Sequence, residues 1–249
     1  GYLIASKVFS GVQKYGQVNL IAFYFNRALR IFPAFFGAVA IYFAFPELQE
    51  GRALQPIWRF LTFTQNLPID LYANTFSHAW SLCVEEHFYI VFPLLIMILI
   101  STRTMGFGIG VVLALILFGL VIRYVSWSEL VDPNVGRQRL GSALKYIYYA
   151  SYARLDGLVA GVSLAAIANY YPNLWKRIIA HGWIAFATGV ALLILSFHVF
   201  GGTVLSAQFS TWSAALFGFP LVSLGYAFFV IASVSPGFFL SYGSLQATK

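Results

Sequence analysis

Charge is what this sequence has least of. Only 9% of its 249 residues are Asp, Glu, Lys or Arg, against roughly 25% in a soluble globular domain. That scarcity excludes an ordinary water-soluble fold. Acids are rarer still, 8 against 15 Lys and Arg. The basic residues lie at the ends of apolar runs instead of forming one basic face, which argues against nucleic acid as a partner. The single cysteine, Cys83, cannot close an internal disulfide, and it fits a small apolar core residue. There is no GxGxxG, P-loop, CxxC or HExxH, so no bound cofactor and no metal are expected. The pattern of a secretory signal peptide is missing as well.

Long apolar runs are what the sequence does have. It is 60% hydrophobic, with a mean hydropathy of +0.78. The runs are continuous rather than alternating and approach the roughly 20 residues of a spanning helix. These features predict an all-α, polytopic transmembrane helix bundle in contact with the lipid bilayer. Six full spans are expected at 23–45, 79–100, 107–125, 146–168, 178–200 and 211–233, after a partial leading helix at 2–9. Residues 7–17 read as a polar connection, and 57–63 as an apolar piece in the interface, where Trp58 suits the position. The chain reads as one domain, 1–249, cut at both ends.

Spans that alternate sides sort the charges into two sets. One holds Lys7, Lys14, Arg27, Arg30, Arg103, Lys176, Arg177 and Lys249 with no acid; the other holds all the acids. Arg103 and the Lys176–Arg177 pair sit in tight turns, where the positive-inside rule is strongest. The first set is therefore expected in the cytoplasm. Arg27 and Arg30 then lie at the cytoplasmic edge, and Glu85 and Glu86 at the opposite face.

Three constellations could carry chemistry. The first is the stretch FSHAWSLCVEEHFYIVFP at 76–93. A helix there stacks His78, Ser81 and Glu85 on one face. A carboxylate near a histidine is how general-base systems are built; acids at a helix start can also simply face water, stabilised by the dipole. The spacing favours chemistry for Glu85 and the water-facing role for Glu86, while His87 falls off the face and reads as an interface residue. The second is Arg27 with Arg30 on one helix face, suited to phosphate or to anchoring by snorkelling side chains. The third is YARLDGLVAG at 152–161, where Arg154 and Asp156 are intramembrane ionisable residues and so functional suspects. An ion pair to another helix is the structural alternative for them. Gly157 and Gly161 form a small-xxx-small spacing that allows close helix approach.

These stretches together resemble a known family. FYFNRALRIFPAFF and SHAWSLCVEEHFYIVFPLL are similar to the two main motifs of the membrane acyltransferase 3 family, differing in the second mainly at Cys83 and His87. LTFTQNL and YARLDGLVAGVSLA resemble further family segments in the same order, and GYLIASKVF resembles the end of the family's second helix. The resemblance implies transfer of an acyl group, often acetyl, from an acyl-CoA donor to a hydroxyl of a sugar or other acceptor, many of them cell-surface polysaccharides. It implies a bacterial inner-membrane location. It makes Arg27 and Arg30 contacts for donor phosphates, and Trp80, Ser81, Glu85, Arg154 and Asp156 motif positions. The family's catalytic histidine is expected upstream of Gly1, with Glu85 assisting it and His78 beside it. The alternative class is a transporter or flippase of lipid-linked substrates, using the same charges as a substrate path. The absence of repeated halves counts against it.

Overall fold

The computed structural model describes residues 1–49, 53–73, 75–102, 105–201, 211–236 and 238. Those residues form helices joined by short turns, with no strand among them. The first helix, α1 (Tyr2–Tyr15), is longer than the 2–9 remnant expected, because Phe9 and Val12 continue the buried stripe that Ala5 begins. It ends at Gly16, whose φ of +72° is the left-handed conformation that glycine adopts at little cost. Next, α2 (Leu20–Ala44) is capped by the Asn19 side chain on the Ala22 N–H and runs on through Pro33. The connection that follows carries the short α3 (Ile57–Leu61), which buries Phe60 and leaves Ile57, Trp58 and Leu61 exposed.

A 3-10 turn at Ser77–Ala79 leads into α4 (Trp80–Thr102). After it come α5 (Met105–Ser126), a π turn at Trp127–Val131 and α6 (Gly136–Ala143). The chain then passes through a π turn, Leu144–Tyr148, and a 3-10 turn, Ser151–Ala153, before α7 (Asp156–Tyr170). Helices α8 (Pro172–Ile179), α9 (Gly182–Val199) and α10 (Phe219–Val234) complete the bundle. Five helical runs among the described residues are long and apolar enough to cross a membrane: Leu20–Ala44, Ser77–Ile98, Gly108–Val131, Gly182–Val199 and Ala214–Val234. The chain is a multi-pass, all-α membrane protein.

The expected span at 146–168 is not one helix. It is broken around Tyr149–Leu155, and the break has a physical cause. Backbone groups at membrane depth need partners from within the protein. Here the Tyr149 carbonyl accepts from the Asn66 side chain at 2.9 Å, and the Ala153 carbonyl accepts from Arg123 at 2.9 Å. Side chains from two distant segments thus stabilise irregular backbone that the local sequence does not announce with proline.

Packing places α4 at the centre of this arrangement. Tyr89, Phe92 and Ile96 of α4 join Ala5, Phe9 and Val12 of α1 and Ala165 of α7 in one core cluster. On its other side, Ala79 and Cys83 pack with Phe35 and Val39 of α2 and with Phe60 and Phe63 of the connection. The two helices α2 and α4 run antiparallel: the Tyr24 hydroxyl donates to the Ile90 carbonyl at 2.7 Å, and Phe35 meets the start of α4. Glycines set two close approaches. A Cβ on Gly161 would lie 2.7 Å from the Tyr2 nitrogen, and one on Gly189 would lie 3.0 Å from the Gly225 carbonyl oxygen. The Gly157–Gly161 spacing therefore serves two neighbours, since Gly157 faces Ser223 of α10.

Candidate functional site

The site forms where α4 begins, beside the broken segment. Arg27, seven residues into α2 and so about 10 Å along it, reaches Glu86 through two bonds, Nη2 to Oε1 at 2.6 Å and Nε to Oε2 at 3.3 Å. The guanidinium lies over the Tyr89 ring, 3.8 Å from its centroid. Glu85 approaches the same Arg27 at 3.8 Å, but its side chain is 48% exposed while that of Glu86 is 9% exposed.

This pairing corrects two expectations. Arg27 and the Glu85–Glu86 pair do not lie at opposite edges of the membrane; they share one depth. Sorting each charge to its nearest turn fails because Arg27 lies inside the helix, and antiparallel packing brings it level with the sixth residue after Trp80. Glu86 is also not the water-facing acid. It falls on the buried stripe Ala79, Cys83, Glu86, Tyr89, so it must be paired, and Arg27 pairs it.

His78, in the 3-10 turn that leads into α4, and Ser81 and Glu85, on one face of α4, are all exposed. The His78 ring packs edge-on against Phe76, 4.8 Å between centroids. No hydrogen bond or ion pair joins His78 to Ser81 or Glu85 among the described residues. Arg30 is exposed on α2. His87, expected at the interface, is half-buried instead, with Nδ1 2.7 Å from the Ser151 hydroxyl. Asn66 Nδ2 donates to that same oxygen at 2.9 Å. A polar chain of Asn66, Ser151 and His87 therefore holds the break against α4.

Asp156, at the first turn of α7, adopts the structural alternative. Its carboxylate receives Arg123 Nη1 at 2.5 Å and Nη2 at 3.2 Å. Arg123 is wholly buried, and its Nε has no partner among the described residues. Sequence reasoning missed Arg123. Its signal was available: a lone arginine far along an apolar helix, with a lone aspartate heading a neighbouring one.

Arg154 differs from every other arginine near it. Its guanidinium lies 3.8 Å from the Phe219 ring centroid, 5.3 Å from Trp80 and 5.4 Å from Tyr148. Its side chain makes no ion pair and no hydrogen bond among the described residues, while its backbone N–H donates to the Ser151 carbonyl at 3.1 Å. Cation–π contacts contribute about 0.5–2 kcal/mol each, whereas removing an ion from water costs several kcal/mol. The rings offset part of that cost and leave the planar N–H edge uncommitted. No group of His, Cys, Asp and Glu among the described residues could hold a metal ion. Arg103 and Lys249, two of the charges in the set expected in the cytoplasm, lie outside the described residues.

No family model and no solved structure matches the chain. Relatives do. An uncharacterized protein of Haemophilus influenzae is 31% identical over 193 residues, covering 72% of this chain and 74% of that protein. The O-acetyltransferase OatA of Staphylococcus aureus strain NCTC 8325 is 27% identical over 227 residues, 81% of this chain. The chain spans about a third of OatA's length, 34%. This chain belongs to the family of the Haemophilus influenzae protein, and its relationship to OatA is acyltransferase-like.

Proposed function

We propose that the protein is a membrane O-acyltransferase of the acyltransferase 3 family, moving an acyl group, acetyl in the simplest case, from acyl-CoA to a hydroxyl of a cell-surface sugar. The similarity to OatA across four-fifths of this chain is the observation that carries this reading. The geometry supports it, because Glu85 lies beside an arginine that a second carboxylate already neutralises. Glu85 is thus half-exposed and available for proton transfer. In the reaction, the acceptor oxygen forms a bond to the thioester carbonyl carbon and the carbon–sulfur bond breaks. The hydroxyl proton passes to a base that Glu85 assists, and that base returns it to the departing sulfur, so that CoA leaves as the thiol. His78 and Ser81 share the Glu85 face and line the acceptor's approach. Arg30 and the edge of Arg27 not bound to Glu86 serve the donor's phosphates. Trp80 and Arg154, with Asp156 paired to Arg123 beside them, are assigned to substrate binding, and the proposed location is the bacterial inner membrane.

Incubating the purified protein with labelled acetyl-CoA and a polysaccharide acceptor tests this reading. Labelled ester on the acceptor with one equivalent of free CoA thiol is the expected result. Movement of substrate across proteoliposomes with no CoA released would overturn it in favour of a transporter.

A further inference from the structure

The three-ring cage around Arg154 carries an inference of its own. Trp80 comes from the start of α4, Tyr148 from the π turn before the break, and Phe219 from the start of α10. The Trp80 and Tyr148 rings touch at 5.1 Å, and Tyr148 and Phe219 at 6.2 Å. Three separate elements thus converge on one guanidinium. The nearest carboxylate in sequence, Asp156, is taken by Arg123 through both its oxygens. The cluster of Arg123, Arg154 and Asp156 therefore carries one positive charge in excess. Arg154 lies within electrostatic reach of both of the others, so it is repelled by Arg123 and only partly compensated by an acid already in use. A planar guanidinium with aromatic faces and a free edge is built for bidentate contact with an oxyanion.

We propose that Arg154, held by Trp80, Tyr148 and Phe219, binds an oxyanion of one of the two substrates. The group is either a phosphate of the acyl donor or a carboxylate of an acidic sugar acceptor. That the ligand is a substrate rests on the acyltransferase reading; that the cage binds an oxyanion does not. Along α4, Trp80 and Glu86 are six residues apart, about 9 Å. An anion at Arg154 would thus be fixed within one small substrate's length of Glu85.

The test is binding without turnover. The protein in detergent, at low chloride, is titrated with inorganic phosphate and, separately, with glucuronate, following tryptophan fluorescence and the melting temperature. At least one anion is expected to bind wild type, with the dissociation constant weakened about tenfold to a hundredfold in Arg154→Gln. Arg177→Gln removes the same charge from exposed α8 and should leave binding unchanged. Phosphate alone would identify the donor, glucuronate alone the acceptor. Arg154→Lys guards against a misfolded variant: it keeps the charge but loses the fork, so the anion should raise its melting temperature less than that of wild type. Binding of neither anion to wild type, or equal shifts in Arg154→Lys and wild type, would overturn the inference. Acyl transfer observed without anion binding would remove this site alone; anion binding without acyl transfer would leave it standing and remove the enzyme reading.

Discussion

Two charge clusters flank the first turns of α4, and they are unbalanced in opposite directions. Around Arg27 there is one cation for two carboxylates, Glu85 and Glu86. Around Asp156 there are two arginines for one carboxylate, with Arg123 paired and Arg154 in its aromatic cage. Each cluster has a buried, bidentate pair that fixes the helices. Each also has one spare group that the pair does not consume. The pairs resemble structural ion pairs in any membrane bundle. The spare groups, a carboxylate open on one side and a guanidinium with a free edge, are the ones to which the proposed acyl transfer assigns roles.

The clusters should respond differently when their pairs are broken. Asp156→Asn is expected to cost most, about 3–5 kcal/mol, because it strands the wholly buried Arg123 and leaves two like charges together. Thermal or denaturant unfolding in detergent would show it, and a loss smaller than that of Glu86→Gln would break the comparison. Glu86→Gln should cost less, about 3 kcal/mol, since Glu85 at 3.8 Å can swing toward Arg27. Replacing both Arg27 and Glu86 by apolar residues should recover most of that stability; no recovery would mean that the pair is not the cause. Ser151→Ala removes the oxygen shared by Asn66 and His87, at an expected cost of about 1–2 kcal/mol, and hydrogen exchange around 149–155 should rise while exchange in α9 stays fixed. The smallest effect concerns the connection that carries Asn66. The Tyr72 and Ala73 N–H groups bond Asp70 and hold its carboxyl below the usual 3.8. A lowered folded value adds stability above that range and loses it as pH falls through the folded value. Asp70→Asn should therefore lower stability slightly at neutral pH and flatten the acid limb of the curve, so that variant and wild type converge below about pH 4.

Most of the fold was legible as apolar runs of spanning length. Five expected spans correspond to continuous helices, because hydrocarbon thickness and hydropathy decide them locally. The sixth was not legible, since its break is stabilised by Asn66 and Arg123, which come from other parts of the chain. The candidate site was partly legible. The residue types in 76–93 marked it, and helical spacing put His78, Ser81 and Glu85 on one face. Spacing alone could not say which face is buried. The arrival of α2 decides that, and it buries Glu86 and leaves Glu85 open. Arg123 escaped notice because its charge was assigned to a helix end, although it lies within the Gly108–Val131 run.

The central claim is that Glu86 anchors and Glu85 acts. Glu85→Gln measured for acyl transfer and for melting temperature on one preparation tests it most directly. The account expects a wild-type melting temperature with transfer reduced about a hundredfold or more, as loss of proton-transfer assistance gives. Near-normal acylated product from Glu85→Gln, or a fall in stability matching that of Glu86→Gln, would contradict it.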